Sequence, residues 1–182
     1  MSSSEFNGNS VDSISDARKK QPSAQAAPNT PAPGALGKSS ILIVEDNQFV
    51  REGLVRLINR QPDLICCGET DTIAATSLAV ATQRPDLVLL DLRLKDGESL
   101  GMINSLKEQF PDTAVLVLSQ GDELLFAEKA LRAGARGYVM KQESVEEILV
   151  AIRAVLLGRI YASRNMAGRL LQKLFPISSA RS

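Results

Sequence analysis

The chain has 182 residues, of which 21 are basic and 21 acidic, and 44% are hydrophobic. The balanced charge gives no general attraction to nucleic acid or to an acidic substrate. The absence of histidine excludes His-based triads, His–Zn sites and a phosphohistidine carrier. No apolar run approaches the roughly 18 residues of a membrane span, and no signal-peptide pattern opens the chain. We therefore expect a cytoplasmic protein with no membrane contact.

The first part of the chain differs in composition from the rest. Residues 1–38 are rich in Ser, Ala, Pro, Asn and Gln and have almost no large apolar side chains. Such a segment cannot bury enough surface to offset the entropy lost on ordering. Its A-P-G-A-L-G-K-S stretch resembles a phosphate loop but lacks the first glycine and precedes a strand, so we reject it as a nucleotide site. We predict a disordered N-terminal extension.

From Ser40 onward, short apolar runs alternate with stretches of helical periodicity. Apolar runs of this length are typical of strands buried on both faces. We predict five strands, at 41–44, 64–68, 87–90, 114–118 and 137–140. The predicted helices are at 47–60, 72–83, 98–110, 122–133, 144–157 and 163–175.

Local signals mark several of the predicted ends. Asn47 is placed to cap the first helix, and Ser144-x-x-Glu147 is a capping box. The adjacent Cys66 and Cys67 fall on a strand, where neighbouring side chains point to opposite faces. We therefore predict two reduced thiols and no disulfide framework.

Five consecutive strand–helix units predict an α/β fold with a parallel sheet and helices on both faces. The expected strand order is 2-1-3-4-5, whose switch point lies between strands one and three. Glu45 and Asp46 follow strand one, and Asp91 follows strand three. The acidic residues therefore fall where this fold builds ligand sites.

Side chains at four strand ends suit phosphoryl transfer. Glu45, Asp46 and Asp91 bring like charges together, which usually requires a cation, and hard oxygen ligands suit Mg²⁺. Ser119 ends strand four and supplies a hydroxyl, and Lys141 follows strand five and supplies a positive charge. A metal, a hydroxyl, an ammonium and a nucleophilic carboxylate are the groups that this chemistry uses.

Each of these residues alone has an ordinary alternative. Glu45 and Asp46 are also typical acids of a helix N-terminus. Asp91 is also a residue that ends a strand in a turn, Ser119 a turn or cap residue, and Lys141 a solvated lysine. Their joint occurrence at the ends of four strands is what favours a site.

The motifs I-L-I-V-E-D-N, L-V-L-L-D-L-R-L, V-L-V-L-S-Q and G-Y-V-M-K occur in this order. Residues 39–158 thereby resemble a response-regulator receiver domain of two-component systems, a flavodoxin-like fold. More narrowly, A-L-R-A-G-A-R-G-Y-V-M-K resembles the NarL/FixJ branch. Members of that branch usually carry a LuxR-type helix-turn-helix after the receiver.

The resemblance implies a role for each acidic residue of the predicted site. Asp91 corresponds to the phosphoacceptor, and Asp46 to a direct ligand of the metal. Glu45 corresponds to the acid that reaches the metal through water, and Arg93 to the residue that lends its backbone carbonyl. The implied cofactor is Mg²⁺, with Mn²⁺ as an alternative ion.

Three further residues correspond to the phosphoryl-binding and switch positions. Ser119 matches the hydroxyl that binds the phosphoryl group, Lys141 the lysine that pairs with it, and Tyr138 the aromatic switch residue. The implied partner is a sensor histidine kinase, and the implied output face consists of helix four, strand five and helix five. Such a domain catalyses only its own phosphorylation and slow dephosphorylation, so we expect a signalling protein, not an enzyme.

Residues 159–182 are too few for a helix-turn-helix domain. We predict a C-terminal linker helix and tail with no output domain, so that contact with DNA and control of transcription would need a longer parent protein. The apolar stripe of this helix needs a partner, which is the receiver itself, a second copy in a homodimer, or another protein.

Two alternative functions remain. Lys95 stands where the family prefers proline, which is the best support for a phosphorylation-independent interaction module with a receiver fold. The complete set of acids, serine and lysine is strong evidence against that module. An aspartyl-phosphate phosphohydrolase usually has a second Asp two residues after the nucleophile. Arg93 occupies that position here, which argues against the enzyme.

Overall fold

The computed structural model describes residues 37–120 and 124–174. The predicted N-terminal extension lies outside these residues, except for positions 37 and 38. The end of the predicted C-terminal helix and the tail, from 175 onward, also lie outside them. Within the described ranges, no helix combines the length and the apolarity that a membrane crossing requires.

The described chain alternates between strands and helices along most of its length. The strands are β1 (Ser39–Val44), β2 (Leu64–Thr70), β3 (Leu87–Asp91), β4 (Arg93–Leu94), β5 (Gly97–Glu98), β6 (Ala114–Ser119), β7 (Gly137–Met140) and β8 (Tyr161–Ala162). The helices are α1 (Gln48–Asn59), α2 (Ile73–Gln83), α3 (Leu100–Gln109), α4 (Leu124–Ala133), α5 (Val145–Leu156) and α6 (Arg164–Leu174).

The main sheet is parallel and has the order β2-β1-β3-β6-β7-β8. The first five of these strands reproduce the predicted order 2-1-3-4-5, which confirms the predicted α/β fold. In register, Val44 lies beside Leu90, and Asp91 lies beside Leu118. The carboxyl ends of β1, β3 and β6 therefore meet at one edge.

The sheet has a sixth strand that the sequence did not predict. β8 pairs in parallel with β7, placing Tyr161 beside Gly137 and Ala162 beside Tyr138. The Tyr161 amide also donates to the carbonyl of Arg136, at 2.9 Å. A two-residue strand has too short a pattern to be recognised, because its pairing depends on a partner more than twenty positions away in sequence.

A small antiparallel hairpin, β4–β5, replaces part of the predicted third helix. That helix was expected from residue 98 but begins at Leu100, because Gly97 and Glu98 pair with Leu94 and Arg93.

The core has two layers, one on each face of the sheet. Alternate β1 residues divide between them, with Leu42 and Val44 on one face and Ile41 and Ile43 on the other. The first layer contains buried side chains from α2, α3, α4 and α6, and the second contains side chains from α1 and α5. Helices therefore cover both faces, as the buried strands require.

The predicted helix caps are confirmed, one of them in part. The Asn47 side chain accepts hydrogen bonds from the amides of Phe49 and Val50. The Ser144 hydroxyl accepts from the Glu147 amide at 3.2 Å. The Glu147 carboxylate does not complete the capping box and instead accepts a hydrogen bond from the Tyr161 hydroxyl. This bond ties β8 to the start of α5.

The two cysteines are free thiols, as predicted. Cys67 packs against the first core layer and Cys66 against the second, so they point to opposite faces of β2. Burial raises the pKa of both thiols. A raised pKa lowers the thiolate fraction, which makes both side chains poor nucleophiles.

Candidate functional site

A cavity of about 230 Å³ opens at the carboxyl edge of the sheet. Glu45 directly follows β1, Asp91 ends β3, and Lys141 directly follows β7. The side chains around the cavity are all polar or charged: Glu45, Asp46, Asn47, Asp91, Arg93, Gln120 and Lys141. The topology therefore brings together most of the residues that the sequence predicted as a site.

Three carboxylates form the acidic part of the cavity. Glu45, Asp46 and Asp91 each offer an oxygen within 4.8 Å of the other two. Glu45 and Asp91 are buried, and Asp46 is partly exposed. A set of three close carboxylate oxygens, with neither thiolate nor imidazole beside them, fits a hard divalent cation such as Mg²⁺.

Lys141 places its ammonium between two of these acids. Its Nζ lies 2.6 Å from Oε2 of Glu45 and 2.8 Å from Oδ2 of Asp91. Burial alone would lower the pKa of Lys141, but hydrogen bonds to Asp91 and Glu45 outweigh it and raise that pKa. Two basic residues, Lys141 and Arg93, and three acids line the cavity, so it keeps an excess of negative charge when all five groups are ionised.

Glu45 is the most deeply buried of the three acids. Burial raises the pKa of its carboxyl group above the ordinary 4.5, and the nearby Asp91 charge adds to this, although the hydrogen bond from Lys141 opposes it. Oε1 of Glu45 also accepts a hydrogen bond from the Asn47 amide at 3.1 Å. The side chain is thus held at the cavity by the Asn47 amide and by its ion pair with Lys141.

Asp91 is fixed at both its side chain and its backbone. The amide of Arg93 donates to Oδ1 at 3.2 Å, while Lys141 donates to Oδ2. The buried hydroxyl of Ser99 donates to the Asp91 carbonyl at 2.8 Å. Ser99 precedes α3 and has the position of a cap, yet its side chain makes no capping bond. Sequence reasoning missed it because Ser99 falls inside the helix predicted at 98–110, where a serine gives no sign of a bond to the preceding strand.

Ser119 ends β6 with a buried hydroxyl. Its Oγ has no hydrogen-bond partner among the residues that the structure describes, while its carbonyl accepts from the Lys141 amide at 2.8 Å. Ser119 is not among the residues that line the cavity, although the next residue, Gln120, is. Buried polar atoms normally have partners, so the orphaned hydroxyl calls for an explanation.

Tyr138 is not among the residues that line the cavity. It is 1% exposed and packs in the first core layer with Ala127 and Ala130 of α4 and Met166 of α6. The predicted switch residue is therefore buried in the same core layer as a side chain of the C-terminal helix, and its role as a switch stays a prediction.

The loop after Asp91 carries two further basic residues. Arg93 lines the cavity, and its guanidinium carbon lies 5.7 Å from the ring centroid of Phe126 on α4. Lys95 is exposed in the turn between β4 and β5 and is not among the residues that line the cavity. The hairpin thus keeps the unusual lysine off the wall of the site.

Residues 41–153 match the family described as the response regulator receiver domain. The DNA-binding transcriptional activator DevR/DosR of Mycobacterium tuberculosis is 35% identical over 136 residues, covering 74% of this chain and 62% of that protein. The oxygen regulatory protein NreC of Staphylococcus epidermidis is 32% identical over 136 residues, covering 73% and 62%. The chain thus spans about three-fifths of the length of these relatives.

Solved structures agree with these relatives. A LuxR-family two-component response regulator from Aurantimonas sp. superposes with a TM-score of 0.72 at 29% identity, covering 76% of this chain and 99% of that one. The receiver domain of the putative response regulator NarL from Mycobacterium tuberculosis gives 0.65 at 28% identity, covering 68% and 100%. The chain therefore belongs to the receiver-domain family of response regulators, in its NarL/LuxR-type branch.

Proposed function

We propose that this chain is a phosphorylation switch in which Asp91 accepts a phosphoryl group from a phosphohistidine of a sensor kinase. The observation that carries the proposal is the arrangement around Asp91. Its carboxylate belongs to a cluster of three acids within 4.8 Å and is contacted by the Lys141 ammonium at 2.8 Å. A nucleophile, a metal-binding acid set and a fixed cation are the parts of a phosphoryl-transfer site.

The transfer proceeds by in-line attack. A carboxylate oxygen of Asp91 forms a bond to phosphorus as the phosphorus–nitrogen bond to the imidazole breaks. The imidazole, protonated on its other ring nitrogen, leaves with that electron pair as the neutral base. Lys141 offsets negative charge on the phosphoryl oxygens. The Ser119 hydroxyl donates a hydrogen bond to one of them, a role supported by its lack of a partner among the described residues.

A divalent cation would be held by Asp46 and Asp91 directly, by Glu45 through water and by the backbone carbonyl of Arg93. The ion, Mg²⁺ or in its place Mn²⁺, supplies charge neutralisation for the transferred phosphoryl group. The oxygen-only donor set supports this assignment.

The conformational change that follows phosphorylation passes from Ser119 to Tyr138 and then to the face formed by α4, β7 and α5. Tyr138 pairs in register with Ala162 of β8 and shares a core layer with Met166 of α6. A change in the packing of Tyr138 would therefore reach the segment that follows the receiver. We assign 39–158 to the receiver and 159–182 to a linker.

We propose that the switch controls an output, and that this output is transcription if the chain belongs to a longer parent protein. The name of the DevR/DosR relative, a DNA-binding transcriptional activator, supports control of transcription there. The sensor kinase and a second copy of this chain are the proposed partners. The domain acts in signalling and performs only its own phosphorylation and slow dephosphorylation.

Intact-mass spectrometry after incubation with acetyl phosphate tests the proposal. We expect one phosphoryl adduct on the wild type that requires Mg²⁺ and disappears in Asp91→Asn. The matched control is Asp112→Asn, because Asp112 is an exposed aspartate before β6, at the opposite end of the sheet. An adduct that persists in Asp91→Asn would refute the assignment of the phosphoacceptor. No adduct on folded wild type would favour the phosphorylation-independent interaction module.

A further inference from the structure

We propose that Arg51 is a positioning residue that fixes the peptide joining Glu45 to Asp46 and thereby sets the affinity of the acidic cluster for Mg²⁺. This inference rests on the metal site of the proposed function. It concerns a side chain in α1 that does not line the cavity.

Arg51 reaches back from the helix to the end of β1. Its Nη1 donates to the Glu45 carbonyl at 2.6 Å, and its Nε lies 3.4 Å from Oε2 of Glu69 on β2. The Arg51 side chain is 19% exposed, so most of it is packed. One guanidinium therefore joins α1, the end of β1 and the end of β2.

The Glu45 carbonyl lies where the chain leaves the sheet. The Glu45 amide still bonds to the Thr70 carbonyl, at 3.0 Å, but the paired part of β1 ends at Val44. A buried carbonyl without a donor is costly, and a charged donor makes a strong hydrogen bond. Arg51 supplies that donor.

Fixing this carbonyl also fixes Asp46. The peptide unit is planar, so the direction of the Glu45 carbonyl determines where the next Cα lies. The Asn47 amide holds the Glu45 carboxylate from the other side, at 3.1 Å. The loop with both acids is thus held at two points, Asn47 at the start of α1 and Arg51 one turn later.

The contribution of Arg51 is geometric and not one of charge. Its hydrogen bond goes to a backbone carbonyl and not to a carboxylate of the cluster. An unbalanced guanidinium near the cluster would repel Mg²⁺. Glu69 offsets that charge, since its carboxylate contacts the same guanidinium.

Calorimetric titration with Mg²⁺ alone tests this role without phosphorylation. Arg51→Met keeps an apolar stem but cannot donate, and we expect about tenfold weaker Mg²⁺ binding, the usual effect of losing a residue that orients metal ligands. The matched control is Arg56→Met on the same helix, because the Arg56 side chain is 76% exposed and pairs only across one turn with Glu52 in the described structure. It should bind Mg²⁺ as the wild type does.

A second measurement separates positioning from general damage to the fold. Labelling by acetyl phosphate at saturating Mg²⁺ should return to within about twofold of the wild type in Arg51→Met, because Asp91 and Lys141 are unchanged, while the Mg²⁺ concentration for half-maximal labelling rises about tenfold. Arg51→Lys restores a donor and should recover part of the affinity.

Several outcomes would overturn the inference. These are wild-type Mg²⁺ affinity in Arg51→Met, an equal loss in Arg56→Met, or no Mg²⁺ binding by the wild type. A wild type that binds Mg²⁺ but takes no phosphoryl group would refute the proposed function instead, and the calorimetry on the Arg51 variants would still decide the role of Arg51.

Discussion

The two ends of the sheet hold similar ion pairs in different surroundings. At the carboxyl end, the Lys141 ammonium contacts Glu45 and Asp91, and these side chains are 10%, 1% and 7% exposed. At the amino end, the Arg153 guanidinium contacts Asp63 through Nε at 2.7 Å and Nη2 at 2.9 Å. These two side chains are 40% and 47% exposed.

A second cavity, of about 220 Å³, lies beside the exposed pair. Its lining includes the apolar side chains Leu64, Leu156 and Leu157. The cavity at the carboxyl end is instead lined by polar and charged residues. Buried charges interact strongly, so the removal of one partner costs much unfolding free energy, whereas water screens an exposed pair. From this comparison we infer that the buried charges are retained for a function other than stability, and we expect the exposed pair to make a small contribution to stability.

The largest effect should follow from removing the buried ammonium. Lys141→Met leaves Glu45 and Asp91 as buried carboxylates without their cation, so we expect the metal-free protein to lose about 3 kcal/mol of unfolding free energy. Labelling with acetyl phosphate should also fall by at least 100-fold, because the phosphoryl oxygens lose a fixed positive charge. Urea unfolding and intact mass measure the two effects. The control Lys95→Met removes an exposed lysine outside the cavity wall. Its unfolding free energy and its labelling should both stay close to those of the wild type.

At the amino end, a comparable loss of stability should leave the chemistry intact. Leu64 is buried and packs in the core layer beneath α1 and α5. Leu64→Ala should cost roughly 2–4 kcal/mol through lost contacts and a residual cavity. Labelling of the folded variant should match the wild type at a temperature well below its unfolding transition. A selective loss of labelling in Leu64→Ala would show that the two ends are coupled.

Mg²⁺ should raise the unfolding free energy of the protein only by binding at the carboxyl end of the sheet. At ten times its dissociation constant, an ion that binds only the folded state adds about 1.4 kcal/mol to the unfolding free energy. The gain should appear in the wild type and in Asp63→Asn, and it should shrink in Asp46→Asn, which removes a proposed ligand. Thermal unfolding with and without MgCl₂ measures it. An equal gain in Asp46→Asn would place the ion elsewhere.

The smallest effect should come from the exposed pair, and it should depend on pH. The hydrogen bond from Arg153 holds the pKa of Asp63 below its ordinary 3.8. The stabilisation is therefore present above the pKa of the unfolded chain and is lost as the pH falls through the lower folded value. We expect Asp63→Asn to cost about 0.5 kcal/mol at pH 7, less in high salt, and nothing once Asp63 is protonated. Urea titrations at several pH values would expose a larger or pH-independent cost, which would contradict this interpretation.

The fold could be predicted from the sequence because the signals for its strands and helices are local. The apolar runs of β1 and β3 and the caps at Asn47 and Ser144 are encoded within a few residues each. Buried parallel strands with intervening helices leave few topologies open. It also predicted that the strand ends would carry the site, since the acids follow strands that meet at the switch point. The roles of Asp91, Ser119 and Lys141 in phosphorylation remain predictions that the experiments above test.

The sequence by itself determined the alternation of strands and helices, the order of the first five strands and the edge where Glu45, Asp46, Asp91 and Lys141 collect. Only the tertiary structure decided how those charges are partnered, because their partners lie far apart along the chain. The β7–β8 pairing, the Ser99 bond to Asp91, the Arg51 bond to Glu45 and the placement of Lys95 on an exposed turn all depend on distances set by packing. The spacing of apolar residues indicates which face of a strand or helix is buried, and it does not indicate which donor bonds to a given carbonyl.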